Sequence, residues 1–188
     1  MKKRLSIQYN APVTLTFALL SLGVLLLGYL TNGASTLRCF SVYRSPLTDV
    51  LTYPRFFTHV LGHSGLSHLT GNMTLLLVLG PGLEERYGSK TILETVLVTA
   101  FVSGLLQWLL FPGTALLGAS GIVYMMILMS SLGGSKGDGI PLTLVLVFLI
   151  YVGGEIYSGF TAADNVSHLT HIVGGCCGAV MGLGLRKR

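Results

Sequence analysis

Six stretches of the chain run almost without charge: residues 12–30, 67–82, 90–110, 120–132, 140–157 and 166–185. Polar and charged side chains gather in the connections between them. This segmentation predicts an all-α membrane protein built as a six-transmembrane-helix bundle, since most of the runs approach the ~20 residues a helix needs to cross a bilayer. The fourth run is too short to cross alone, so its helix is expected to start inside the membrane, reached by the connection Phe111-Pro112-Gly113-Thr114. Irregular backbone at that depth is tolerated only against protein or water, which places water at Ser120. The first run follows Met1-Lys2-Lys3-Arg4 and has the outline of a signal peptide. It is too long for a signal core and lacks a clear small-residue cleavage site, so it reads as a retained span.

Composition strengthens the membrane reading. The chain has 188 residues, 51% hydrophobic and 10% charged, against about 25% charged in soluble domains. Its length suits one domain over 12–185, with cytoplasmic tails at 1–11 and 186–188 and a long outer segment at 31–66. The net charge of +5 reflects topology and not a nucleic-acid stripe. Lys2, Lys3, Arg4, Arg86, Lys90, Lys136, Arg186, Lys187 and Arg188 fall on one side of six spans, and Arg38, Arg44 and Arg55 on the other. The excess of positive residues marks the cytoplasmic side, so both termini are expected there. Cys39, Phe40, Tyr43, Tyr53, Phe56 and Phe57 give the outer segment an interfacial character. Cys176 and Cys177 are adjacent in an apolar run and offer no disulfide or C-x-x-C pattern, so the cysteines read as small packing residues. No internal repeat occurs, which counts against a transporter built from inverted repeats.

The polar residues inside the apolar runs carry the candidate chemistry, because ionisable groups in a membrane are rare and functional by default. His68 and Asn72, four residues apart, share one face of the second helix. Ser120 opens the fourth helix, and Ser167-His168-Leu169-Thr170-His171 opens the sixth. With even-numbered helices running in the same direction, these groups lie at similar depth. Each also has a plain reading: a serine can pack or bond to backbone, and a histidine can sit at the interface. His59 and His63 form an i, i+4 pair, but no H-E-x-x-H occurs, so neither metal nor cofactor is expected. They are read as ordering the outer segment and hydrating the site. Glu84, Glu85 and Arg86 are read as a turn-fixing network at the cytoplasmic end of the second helix.

Nucleophilic catalysis fits these residues best. A serine hydroxyl needs a base to take its proton, and histidine has a suitable pKa. The oxyanion of the tetrahedral intermediate needs donors, available from Asn72, His68 and the Ser120 backbone N–H at a helix start whose amides are unpaired. Gly174, Gly178 and Gly182 line one face of the sixth helix, a seam that lets membrane helices approach closely and brings His171 toward Ser120. Packing alone explains those glycines equally well. No Asp or Glu is placed to orient the histidine, so a serine–histidine dyad is expected, not a triad.

The stretches "FFTHVLGHSGLSHLTGN", "LEERYGS", "GASGIVY" and "HIVGGCCG" occur in the order seen in the rhomboid intramembrane serine proteases. The chain resembles that family over about residues 50 to 185. The resemblance implies Ser120 as nucleophile, His171 as general base, and His68 and Asn72 as the oxyanion-stabilising pair. It implies Gly118 and Gly121 as the G-x-S-G glycines and Tyr124 as the tyrosine packed on the catalytic histidine. His171 is preferred to His168 because glycines follow it at Gly174 and Gly178. Pro54-Arg55 stands where the family often has Trp-Arg. The resemblance further implies single-span membrane proteins as substrates, entering sideways from the bilayer, with motion of the fifth helix and the nearby outer loop. A chain without a seventh span or soluble domain, ending in Arg-Lys-Arg, points to the minimal form in a bacterial plasma membrane, its active site opening to the outer face. A non-catalytic relative that binds membrane helices, or a small channel, are the competing classes. The retained Ser120, His171, His68 and Asn72 favour the enzyme.

Overall fold

The computed structural model describes residues 7–132, 139–161 and 165–185. Six longer helices occupy the six apolar runs among them: α1 (Pro12–Leu30), α4 (Leu66–Tyr87), α5 (Ser89–Leu110), α6 (Ser120–Ser130), α7 (Leu142–Thr161) and α8 (Asn165–Gly184). The outer segment contributes two short helices, α2 (Ala34–Cys39) and α3 (Thr52–Thr58), and a 3₁₀ turn at His59–Leu61. An isolated antiparallel bridge joins Val42 to Leu116. By length and composition, α1 and α5 are each sufficient to cross a bilayer. Of the residues that set the charge bias, Lys2, Lys3, Arg4, Lys136, Arg186, Lys187 and Arg188 lie outside the described residues.

The shortest of the six, α6, forms the centre. It buries Gly121, Ile122, Val123, Met125, Met126, Leu128 and Met129, and a helix apolar on all sides belongs inside a bundle. Its most extensive neighbour is α8, with α4, α5 and α7 around the remainder. The outer surface is itself apolar: Leu19, Leu26, Val78, Leu97, Leu149 and Ile150 are all exposed. A soluble protein rarely exposes so large an apolar surface, whereas lipid covers it at no cost.

The second apolar run extends further than expected. The helix passes through Pro81 and ends at Tyr87, capped by Gly88 at φ +84°. The extra turn carries Glu84 inward, where its carboxylate accepts from the backbone N–H of Thr14 (2.7 Å), the Thr14 hydroxyl (2.7 Å) and the Val13 N–H (3.2 Å). The first amides of α1 have no intrahelical partner, and a carboxylate there complements the helix dipole. Arg86 donates to the carbonyl of Leu132 just beyond α6. The polar network expected of "LEERYGS" at the end of the second helix is a pair of helix-end clamps: Glu84 on the start of α1 and Arg86 on the end of α6.

In the outer segment the buried Arg55 donates to the Arg38 carbonyl (2.7 Å), to Asp49 (2.8 Å) and to the Ser45 hydroxyl (3.3 Å). Its guanidinium lies over the Tyr43 ring at 4.6 Å, so Arg55 knots the segment together. Cys39, Cys176 and Cys177 are free thiols; Cys176 faces out of the bundle rather than packing within it.

Candidate active site

Ser120 is the first residue of α6, half-buried beneath the outer segment. The turn that delivers it depends on Gly118, whose φ of +126° is a conformation that side-chain-bearing residues rarely adopt. The Gly118 N–H donates to the carbonyl of His59 (3.0 Å), and this bond ties the turn to the 3₁₀ segment. The missing side chain also leaves space. A Cβ at Gly118 would stand 2.8 Å from His68 Cε1, 2.9 Å from His68 Nε2 and 4.0 Å from Asn72 Nδ2. The His68 ring edge and the Asn72 amide thus both reach the turn immediately before Ser120. Asn72 is 8% exposed, and its Nδ2 has no hydrogen-bond partner among the described residues. Buried donors are almost always satisfied, so this one is notable.

The α6/α8 contact brings His171 to the same end. A Cβ at Gly174 would collide with the Gly121 carbonyl oxygen, and one at Gly178 with that of Met125. Backbone therefore lies on backbone along the seam. His171 stacks face to face on Tyr124, with ring centroids 4.3 Å apart and planes 3° from parallel. The structure thus gathers Ser120, Gly118, Gly121 and Tyr124 from α6 and its approach, His68 and Asn72 from α4, and His171, Gly174 and Gly178 from α8.

One expectation fails. A carboxylate does face the histidine: Glu155 of α7 places Oε1 2.9 Å from His171 Nδ1 and Oε2 2.5 Å from His168 Nδ1. The Tyr124 hydroxyl donates to the same Oε1. Spacing along the chain concealed this contact because it depends on how α7 packs against α8. The one available signal was a lone acid within an apolar run.

His59 and His63 hold the roof of the site. His59 is fully buried, and its Nδ1 donates to the Arg55 carbonyl (3.1 Å); its Nε2 lies 3.4 Å from the Ser103 hydroxyl on α5, which itself donates to the Thr99 carbonyl at 2.8 Å. His63 donates through Nδ1 to the Leu61 carbonyl (3.1 Å) and meets the His68 ring edge-on at 5.0 Å. Ser64 lies 3.1 Å from His68 Nδ1. Burial disfavours the charged imidazole and pulls His59 and His63 each from an ordinary 6.5 down to about 4. The unfolded chain therefore binds more protons between pH 6.5 and 4, and stability falls as pH drops through that window. Thermal unfolding in detergent is expected to be constant from pH 7 to 8 and to lose several degrees between pH 6.5 and 5. His59→Asn is expected to reduce that pH slope; an unchanged slope would show that His59 is not its source.

A family model for the Rhomboid domain matches residues 51–188. The chain is 32% identical over 137 residues to "Rhomboid-related protein 1" of Caenorhabditis elegans, covering 68% of this chain and 38% of that protein. It is 28% identical over 142 residues to "Rhomboid-like protein 11, chloroplastic" of Arabidopsis thaliana, covering 68% of this chain and 50% of the relative. The chain thus spans half or less of the length of each of these relatives. The matched region contains α4 to α8, every helix that contributes to the cluster around Ser120. The chain, built of helices among its described residues and apolar on its outer surface, belongs to the rhomboid family of integral membrane proteins.

Proposed function

We propose that the chain is an intramembrane serine endopeptidase that cleaves single-span membrane proteins in or near their transmembrane segments. Ser120 is the nucleophile and His171 the base that takes its proton. His68, Asn72 and the Ser120 N–H receive the oxyanion. The observation that carries this reading is the unsatisfied, buried Asn72 Nδ2 beside the Gly118 turn. A donor left unspent in the free protein is what an oxyanion hole requires, because its partner appears only as the carbonyl oxygen gains charge. In this role the His68 proton sits on Nε2, the nitrogen turned toward Gly118, and Nδ1 accepts from the Ser64 hydroxyl 3.1 Å away.

The domain is 12–185, crossing the bilayer six times with both termini cytoplasmic and the site opening outward. At a rise of 1.5 Å per residue, the 11 residues of α6 span about 16 Å, roughly half of a ~30 Å hydrocarbon core. Ser120 then lies at depth, and water reaches it from beneath the outer segment. A substrate helix hides its carbonyls in its own hydrogen bonds, so it must unwind locally before attack.

The test uses purified full-length protein in detergent micelles and a fluorophosphonate probe, with the modified peptide identified by mass spectrometry. A single adduct on Ser120, formed much more slowly in His171→Ala, is expected. Folded protein that forms no adduct would refute the nucleophile assignment and favour a helix-binding relative.

A further inference from the structure

We propose that Glu155 is the positioning carboxylate of this site, fixing His171 in the tautomer that can act as a base. The inference rests on the reading of Ser120 and His171 as nucleophile and base, and adds to it a residue outside the motifs that carry the family resemblance.

Glu155 sits on α7 in the stretch Tyr151-Val152-Gly153-Gly154-Glu155-Ile156-Tyr157, with its side chain 14% exposed. An acid in an apolar, membrane-embedded helix is costly unless it is paired. Its partners come from two other helices: the Tyr124 hydroxyl of α6, and His168 and His171 of α8. A packing pin would need only one such partner. Here both carboxylate oxygens are engaged, and one of them faces the imidazole that the site requires.

The chemistry of the acceptor sets the proton positions. An ionised carboxylate offers no donor, so it favours a proton on the nitrogens that face it, Nδ1 of His168 and, in ion-pair contact at 2.9 Å, Nδ1 of His171. With its proton on Nδ1, His171 carries a lone pair on Nε2, the atom a serine hydroxyl needs. The parallel stack on Tyr124 fixes the plane of the ring. The hydroxyl of the same tyrosine holds Oε1, and His168 holds Oε2 at 2.5 Å, so the carboxylate cannot rotate away. During attack the Ser120 proton passes to Nε2 while the serine oxygen bonds to the carbonyl carbon. The Nδ1 proton stays where it is, and Glu155 stabilises the imidazolium without taking a proton. The arrangement gives the role of a triad carboxylate to a residue from a third helix.

Two measurements on the full chain in detergent micelles test this. In the first, fluorophosphonate labelling rates are compared for wild type, Ser120→Ala, Glu155→Gln and Glu155→Asp. Glu155→Gln keeps the size but loses the charge and replaces one acceptor oxygen with an NH2 donor; its rate is expected to fall by about 10²- to 10⁴-fold. Glu155→Asp is expected to recover at least about tenfold of that loss. In the second, ¹⁵N NMR of histidine-labelled wild type, with His171→Ala for assignment, reports the tautomer. The Nδ1–H form is expected for His171, giving way to a mixture in Glu155→Gln. Labelling of wild type with an unchanged rate in Glu155→Gln would overturn the role of Glu155 and leave Ser120 as nucleophile. An Nε2–H tautomer at His171 in wild type would overturn it even if every Glu155 variant failed to fold. Absence of labelling in folded wild type would instead remove the parent reading, and this one with it.

Discussion

Ser120→Ala is expected to lower hydrolysis by about 10⁵- to 10⁶-fold while leaving the protein folded, the scale of loss when a serine nucleophile is removed. Alanine has the higher helix propensity and fits wherever serine does, so the start of α6 has no reason to move. Gly118 keeps its φ of +126° and its bond to His59, and the backbone contacts of the seam, Gly174 on Gly121 and Gly178 on Met125, are untouched. In the proposed mechanism the small residual rate comes from the oxyanion donors, which Ser120→Ala leaves in place. Equal thermal unfolding temperatures with lost turnover would separate chemistry from folding. Retained turnover in Ser120→Ala would place the nucleophile elsewhere.

The second large effect falls on stability. Gly174→Val is expected to destabilise the bundle by about 3 kcal/mol or more, beyond the usual overpacking cost, because no side chain can yield. A Cβ there would stand 2.8 Å from the Gly121 carbonyl carbon and 2.9 Å from its Cα. These are backbone atoms in the first turn of α6, one residue after Ser120, so relief of the clash must move either α8 or the serine. Loss of activity should therefore accompany loss of stability. Gly71→Ala provides the control: nothing lies within 4 Å of its Cβ position. That substitution is expected to be neutral or stabilising by up to about 1 kcal/mol. A Gly174→Val protein with wild-type unfolding temperature would mean that the seam is looser than the packed structure implies.

Much of this arrangement is legible in the apolar runs. Helices α1 and α5 coincide with their runs to within a residue, because polar or glycine-containing turns bound both. α4 outlasts its run by five residues, passing through Pro81, and in the added turn Glu84 finds partners on α1 that lie seventy residues away in sequence. The short helices of the outer segment are not visible as periodic apolar patterns, since buried arginine and histidine bonds order them. Of the site, His68, Asn72, Ser120 and His171 stand out as polar residues in apolar helices. Glu155 does so equally, but its pairing with His171 depends on the facing of α7 and α8, which linear spacing does not encode. The Asn72 amide shows the opposite case: its residue type marks it in the sequence, but only the folded chain reveals that its donor is unspent.

The proposed function requires Ser120 to cleave a peptide bond within the bilayer. The test reconstitutes wild-type and Ser120→Ala protein into liposomes with single-span reporter proteins and maps any new termini by mass spectrometry. The reporters carry membrane segments with small residues and a locally unstable helix near the outer face. A cut inside or at the edge of the membrane segment is expected with wild type alone. Intact reporters in both samples, with the wild-type protein folded and its Ser120 unreactive to phosphonate, would contradict it.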